Sequence, residues 1–174
     1  MKQLALDIGL ATGPSLGNYF AGANEAALQH LRLWVGQGSQ QATRAPVPTY
    51  LWGAPGSGKS HLLKAVASAL REQGASVGWL DPSVHARPEF DERWAAVLLD
   101  DVHLYSTAQQ ALAFNWFVNA TSPGSGAPRW VLAAGSVPPA DLPLRDDLRT
   151  RLGWGHVFQL QVLDETARRA VLRQ

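Results

Sequence analysis

The chain has 174 residues and a mass of 18.8 kDa, enough for one or two domains and for a core that buries roughly 70% of the surface its unfolded form exposes. Fifteen basic against 14 acidic side chains leave a formal charge of +1, so there is no bulk electrostatic case for nucleic acid or an anionic membrane. The absence of cysteine excludes a disulfide scaffold, a thiolate zinc site and a thiol nucleophile, and a 46% hydrophobic share excludes a disordered chain.

In chain order, residues 1–17 hold Gly9, Gly13, Pro14 and Gly17 and read as an extended arm without an export signal. Ala27, Leu31, Trp34 and Val35 share one face of a helix expected over Asn24–Val35. A Gly-, Gln- and Pro-rich loop to Pro48 precedes a short strand, Thr49–Trp52. Gly53–Gly58 is a Gly-rich turn into a helix of about Lys59–Gln73, with Leu62, Leu63, Val66 and Leu70 as its buried stripe and Gly74 as its stop. Ser76–Leu80 and Val97–Asp100 are the next strands, and the unbroken apolar run of the latter suits a strand covered on both faces.

Thr107 with Gln110 predicts a capping box for a helix reaching Asn119. Arg129–Ala134 is a fourth strand and Arg145–Arg151 a short helix. In the fifth strand, Val157–Val162, Phe158, Leu160 and Val162 point one way. Asp164 caps a last helix. Strands alternating with helices imply an α/β fold with a parallel sheet. The run Ala95–Leu99 is the longest strongly apolar stretch and is far too short for a bilayer.

Gly53-Ala54-Pro55-Gly56-Ser57-Gly58-Lys59-Ser60 satisfies G-x-x-x-x-G-K-[ST] at every defined position, between a strand and an amphipathic helix. Glycines let backbone N–H groups close on phosphate oxygens, and the helix beginning at Lys59 turns its positive end toward the same anion. Lys59 is expected on the β- and γ-phosphates, Ser60 on Mg²⁺, and His61 beside them. Val97-Leu98-Leu99-Asp100-Asp101 puts two carboxylates at the C-terminal edge of the sheet, where α/β ligands sit. Asp100 is the candidate on the Mg²⁺ side, and Asp101 the candidate that orients or deprotonates water. The five histidines show no zinc-ligand spacing, and the seven tryptophans read as core.

Beyond these two motifs of a P-loop NTPase, three stretches resemble DnaA-type replication initiators. Asn18–Asn24 resembles the base-binding segment ahead of the first helix, which carries Phe20, Gly22 and Asn24 over as cofactor-binding. Leu148–Gly155 resembles the arginine-finger segment, with Arg151 as the finger. Arg129–Pro139 resembles the sensor strand between them, with Ser136 at its tip where an Asp is common. Asp147 stands where the family usually has a further Arg.

The resemblance implies a P-loop AAA+ three-layer α/β/α core over 18–163 with a five-stranded parallel sheet. It also implies a truncated linker helix over 164–174, and a helical lid absent from this chain. Within the family the chain is similar to the Hda-like regulatory inactivators, since the core begins almost at the N-terminus and Gln3, Leu4, Leu6 and Ile8 resemble their clamp-binding peptide. Asp7 stands where that peptide usually has Pro or an apolar residue.

In function, the resemblance implies a cytoplasmic replication regulator that binds ADP or ATP with Mg²⁺. Its partners would be a DnaA-type initiator and the DNA polymerase sliding clamp, with a homodimer left open, DNA reached only indirectly and no membrane. A self-acting DnaA-like or helicase-loader ATPase is the alternative. A DNA-binding module using Arg145, Arg149, Arg151, Arg168, Arg169 and Arg173 ranks third.

Overall fold

The computed structural model describes residues 24–36, 47–124 and 126–162. The clamp-binding candidates Gln3, Leu4, Leu6 and Ile8 lie outside the described residues, as do Phe20, Gly22, the helix expected after Asp164, and Arg168, Arg169 and Arg173.

Five strands, β1 (Thr49–Trp52), β2 (Ser76–Leu80), β3 (Trp94–Leu99), β4 (Trp130–Gly135) and β5 (His156–Gln159), form one sheet in the order β2-β3-β4-β1-β5, every pair parallel. Four α-helices accompany it among the described residues: α1 (Glu25–Val35), α2 (Lys59–Glu72), α3 (Thr107–Thr121) and α4 (Asp146–Leu152). The period of two along the strands divides the core. Leu51, Leu98, Leu132 and Ala134 face α1 and α2, while Tyr50, Val97, Leu99, Val131 and Ala133 face α3 and α4. The result is three layers, helix on sheet on helix.

The unbroken apolar runs are explained by this arrangement. Every residue of β4 is buried, as are the last four of β3, because helices cover both faces. On one face Trp34 of α1 stacks on Trp130 of β4 with centroids 3.6 Å apart, and the Trp130 indole N–H donates to Thr49 Oγ1 at 3.2 Å. No helix among the described residues is long and apolar enough to cross a membrane.

The differences from the sequence expectation that bear on the site and its supports are the cap of α3 and the bounds of β3 and β5. The helix α3 is capped by Ser106, not Thr107: Ser106 Oγ accepts from the Gln109 N–H, and Gln109 Oε1 accepts from the Ser106 N–H. Both Ser106/Gln109 and Thr107/Gln110 carry the capping-box spelling, and packing decides between them. Gln109 is buried and donates to the Val84 and Pro82 carbonyls, whereas Gln110 accepts from the Arg145 N–H.

Strand β3 begins at Trp94 and stops at Leu99, so Asp100 is the first residue past the strand. Strand β5 ends at Gln159, and Val162 is 46% exposed rather than part of a packed stripe. As an edge strand with a single neighbour, β5 is fixed by fewer ladder bonds than its alternation suggests.

Candidate functional site

The loop Gly53–Ser60 is tied to β4 at its first residue and closed by a turn within it. The Gly53 N–H donates to the Gly135 carbonyl at 3.3 Å, and the Ser57 N–H to the Ala54 carbonyl at 3.1 Å. Gly56 and Gly58 have φ of 92° and 91°, a left-handed conformation that side chains resist, so the two glycines let the loop turn its amides inward before α2 begins. Gly53 has no room for a side chain either: a Cβ there would lie 2.6 Å from the Leu160 carbonyl and 2.9 Å from Ser57 Oγ.

Lys59, in the first turn of α2, is only 8% exposed. Its Nζ donates to the Gly53 and Ala54 carbonyls at 2.6 and 3.2 Å, which arches the side chain back over the loop and leaves one of its three ammonium protons for an anion. Burial lowers its pKa below the ordinary lysine value, against the pull of Asp101 and Asp100. On the next residue, Ser60 Oγ donates to Asp100 Oδ2 at 2.7 Å.

Asp100 is 4% exposed, and its other oxygen accepts from the Asp101 N–H at 3.0 Å. Burial pushes its carboxyl pKa up, the Ser60 bond works the other way, and Asp101 and Asp81 add to the rise. Asp101 is the sole non-glycine residue with positive φ among the described residues (φ 50°, ψ 46°). Aspartate tolerates that conformation better than most side chains. It turns the chain out of β3 and into the short helix Val102–Leu104.

A pocket of about 340 Å³ gathers these pieces at the C-terminal edge of the sheet. Of the expected residues it is lined by Pro55, Gly56, Gly58, Lys59, Ser60, His61, Asp101 and Ser136. Gly53, Ala54 and Ser57 shape the loop without lining the pocket, and Asp100 reaches it through Ser60.

His103 also lines it, a residue that sequence reasoning passed over for want of ligand spacing. The Ser136 N–H donates to His103 Nδ1 at 3.2 Å, and the Tyr50 hydroxyl donates to the Val137 carbonyl at 2.7 Å. The turn that follows β4 is therefore held from β1 and from the acidic turn at once. The available signal was a titratable side chain two residues after the acidic pair, but its partner is visible only once β3 is known to lie beside β4.

Two expected residues stand elsewhere. Arg151, on α4, is not among the pocket's lining residues; its guanidinium lies 4.8 Å from the Phe114 ring centroid, and its Nη1 donates to the Asp147 carbonyl at 3.2 Å. The Asn24 amide donates to the Gln161 carbonyl at 3.1 Å and accepts from the Gln161 N–H at 2.7 Å, so it ties the start of α1 to the chain that leaves β5.

No protein-family model matches the chain. Among solved structures, domain III of the Thermotoga maritima replication initiation protein DnaA superposes with a TM-score of 0.71 at 20% identity, over 99% of this chain and 74% of that one. The replication initiator DnaA bound to AMPPCP and single-stranded DNA gives 0.69 at 21% identity, over 92% of this chain and 53% of that one. A point mutant of Thermotoga maritima RuvB gives 0.55 at 18% identity, over 86% of this chain and 49% of that one.

The chain thus has the α/β fold of the AAA+ class. It is similar in fold to domain III of DnaA, and it spans about half the length of the AMPPCP-bound DnaA chain that it matches.

Proposed function

We propose that the loop from Gly53 to Ser60 binds an adenine nucleotide with Mg²⁺, and that the chain is an Hda-like regulator of a DnaA-type initiator. The observation that carries the nucleotide reading is the contact of Ser60 with Asp100 beside Lys59 and Asp101 at one pocket. A hydroxyl and a carboxylate are hard oxygen donors, and so small a set suits Mg²⁺, which keeps much of its water. When bound, the ion would neutralise charge on the β- and γ-phosphates. Loop amides and the Lys59 ammonium hold the phosphates, Asp101 orients a water molecule, and Ser136 offers a hydrogen bond without adding charge. The likeness in fold to a DnaA bound to AMPPCP supports adenine as the base.

The regulatory reading is supported by the position of Arg151. A guanidinium that does not line its own pocket, on a helix followed by the 66% exposed Trp154, suits a role toward a nucleotide held by another protein. There it would stabilise charge as the initiator's ATP and water become ADP and phosphate. Gln3, Leu4, Leu6 and Ile8 would hold the sliding clamp and so raise the local concentration of the regulator at DNA. The acidic pair, complete and beside Lys59, favours a second reading in which the chain hydrolyses ATP unaided. The DNA-binding reading has less support, because Arg145 and Arg149 are paired with Asp147 and Asp146.

Calorimetric titration of the purified chain with ADP and with AMPPCP, with and without Mg²⁺, tests the core of this reading. Saturable binding is expected, weakened about tenfold or more in Lys59→Ala through loss of a charge-assisted hydrogen bond. A native chain that binds neither nucleotide overturns it. ATP turnover by the chain alone, undiminished in Arg151→Ala, would favour the self-acting reading.

A further inference from the structure

We propose that His103 reads the terminal phosphate, so that it sets the preference of this site for a nucleoside triphosphate over a diphosphate. The inference rests on the nucleotide reading of the pocket.

Three observations meet at this side chain. It lines the same pocket as Lys59, Ser60 and Ser136. Its Nδ1 accepts the Ser136 N–H at 3.2 Å, which puts the proton of a neutral imidazole on Nε2. Burial lowers its pKa below the ordinary histidine value; Asp101 and Asp100 work against that and Lys59 adds to it, so the ring is neutral at pH 7. Nε2–H is then the remaining polar group of the ring and can only donate.

The position of His103 says which phosphate it meets. Loop amides at the start of α2 hold the first phosphates they reach, and these are common to both nucleotides. A third phosphate extends past Lys59 toward the ends of β3 and β4, where Asp101, His103 and Ser136 stand together. A neutral donor there adds a hydrogen bond to the triphosphate that the diphosphate does not make.

The test is calorimetric titration of the full chain with AMPPCP and with ADP in His103→Asn and His103→Ala. Asparagine keeps an acceptor near the position of Nδ1, so it can still hold the Ser136 N–H, but it has no group at the position of Nε2. Both variants are expected to bind AMPPCP about tenfold or more weakly and to keep ADP affinity within about twofold. The retained ADP affinity shows in the same experiment that the variants are folded.

Native-like AMPPCP affinity in His103→Asn would overturn the proposal and make His103 a prop for the Ser136 turn. An equal loss for both nucleotides would also overturn it. A native chain that binds neither nucleotide would instead sink the reading of the pocket itself.

Discussion

Ser60 Oγ and Asp100 Oδ2 meet at 2.7 Å although they lie 40 positions apart and on opposite sides of an intervening strand. Ser60 opens α2 directly after β1, Asp100 follows β3, and β4 runs between those two strands in the sheet. The parallel order brings all three C-terminal ends to one edge. A helix that starts above β1 can then reach the carboxylate beyond β4, and the loop, the hydroxyl and the acidic turn become one site.

Burying the Asp100 carboxylate, which the Ser60 bond only partly offsets, has a cost in stability that a substitution can expose. Burial holds the Asp100 carboxyl pKa above its ordinary value, so in the unfolded chain it gives up its proton more readily. The folded state is favoured by this group only below the unfolded pKa, and that advantage is lost as pH rises through the folded value. Asp100→Asn removes the buried charge; its amide oxygen can accept the Asp101 N–H while its amide nitrogen donates to Ser60 Oγ, which as a hydroxyl can also accept. It is expected to raise Tm at pH 7, with the gain fading as pH falls toward about 4, while Mg²⁺-dependent nucleotide affinity is lost. Thermal unfolding from pH 4 to 8 and titrations with and without EDTA check both halves. A lower Tm at pH 7 would contradict the assignment.

Two glycines separate stability from site geometry. At Gly78 a Cβ would fall 2.5 Å from the Trp94 ring, on β2 and far from the loop. At Gly135 it would meet the Tyr50 hydroxyl, which holds the Val137 carbonyl next to Ser136. Each alanine substitution is expected to cost about 1–3 kcal/mol by overpacking. Gly135→Ala alone should also lower AMPPCP affinity, because Tyr50 must leave Val137. Urea unfolding gives the first quantity and calorimetry the second; equal AMPPCP affinities in the two variants would remove Tyr50 from the account of the site.

What could be read from the sequence was local. The phosphate loop and the acidic pair are contiguous spellings, and the buried runs of β3 and β4 announce strands covered on both faces. Ser136 was found through resemblance, but its bond to His103 was not legible, because it depends on β3 lying beside β4. The cap of α3 was missed by one residue for a similar reason. Ser106/Gln109 and Thr107/Gln110 are equal as sequence, and the choice is made by the carbonyls of the segment after β2 and by the Arg145 N–H. Val162 fits an alternating pattern, yet β5 stops three residues before it.

Arg151 gives the sharpest test of action on a partner. Its guanidinium lies on Phe114 beside that of Arg145, at 4.8 and 5.0 Å from the ring centroid. Arg151→Ala is expected to lower stimulation of a DnaA-type initiator's ATPase by about 10³-fold or more, the range found for such fingers. Its stability cost should be only about 0.5–1 kcal/mol, the worth of a cation–π contact at an accessible site. Affinity of the chain for ADP should not change, since Arg151 does not line the pocket. Phosphate release from the initiator, measured with and without the variant, decides. Full stimulation by Arg151→Ala would end the finger assignment.

His30 gives the fold a stability that depends on pH. Burial lowers its pKa, and His156, whose ring centroid is 4.7 Å away, lowers it further; Thr49 Oγ1 lies 3.0 Å from Nε2, and Phe158 and Trp130 flank the ring. The folded chain therefore keeps His30 neutral where the unfolded chain would protonate it. The stability this contributes is present above the ordinary histidine value of 6.5 and is lost as pH falls through the lowered folded value. Tm should thus decline from about pH 7 to pH 5, and His30→Gln should flatten part of that decline. His103 is shifted in the same direction and accounts for a further part, so His30→Gln combined with His103→Asn should be flatter than either alone. If His30→Gln reproduces the native slope across that range, protonation at the junction of α1 with β5 is not what destabilises the fold in acid.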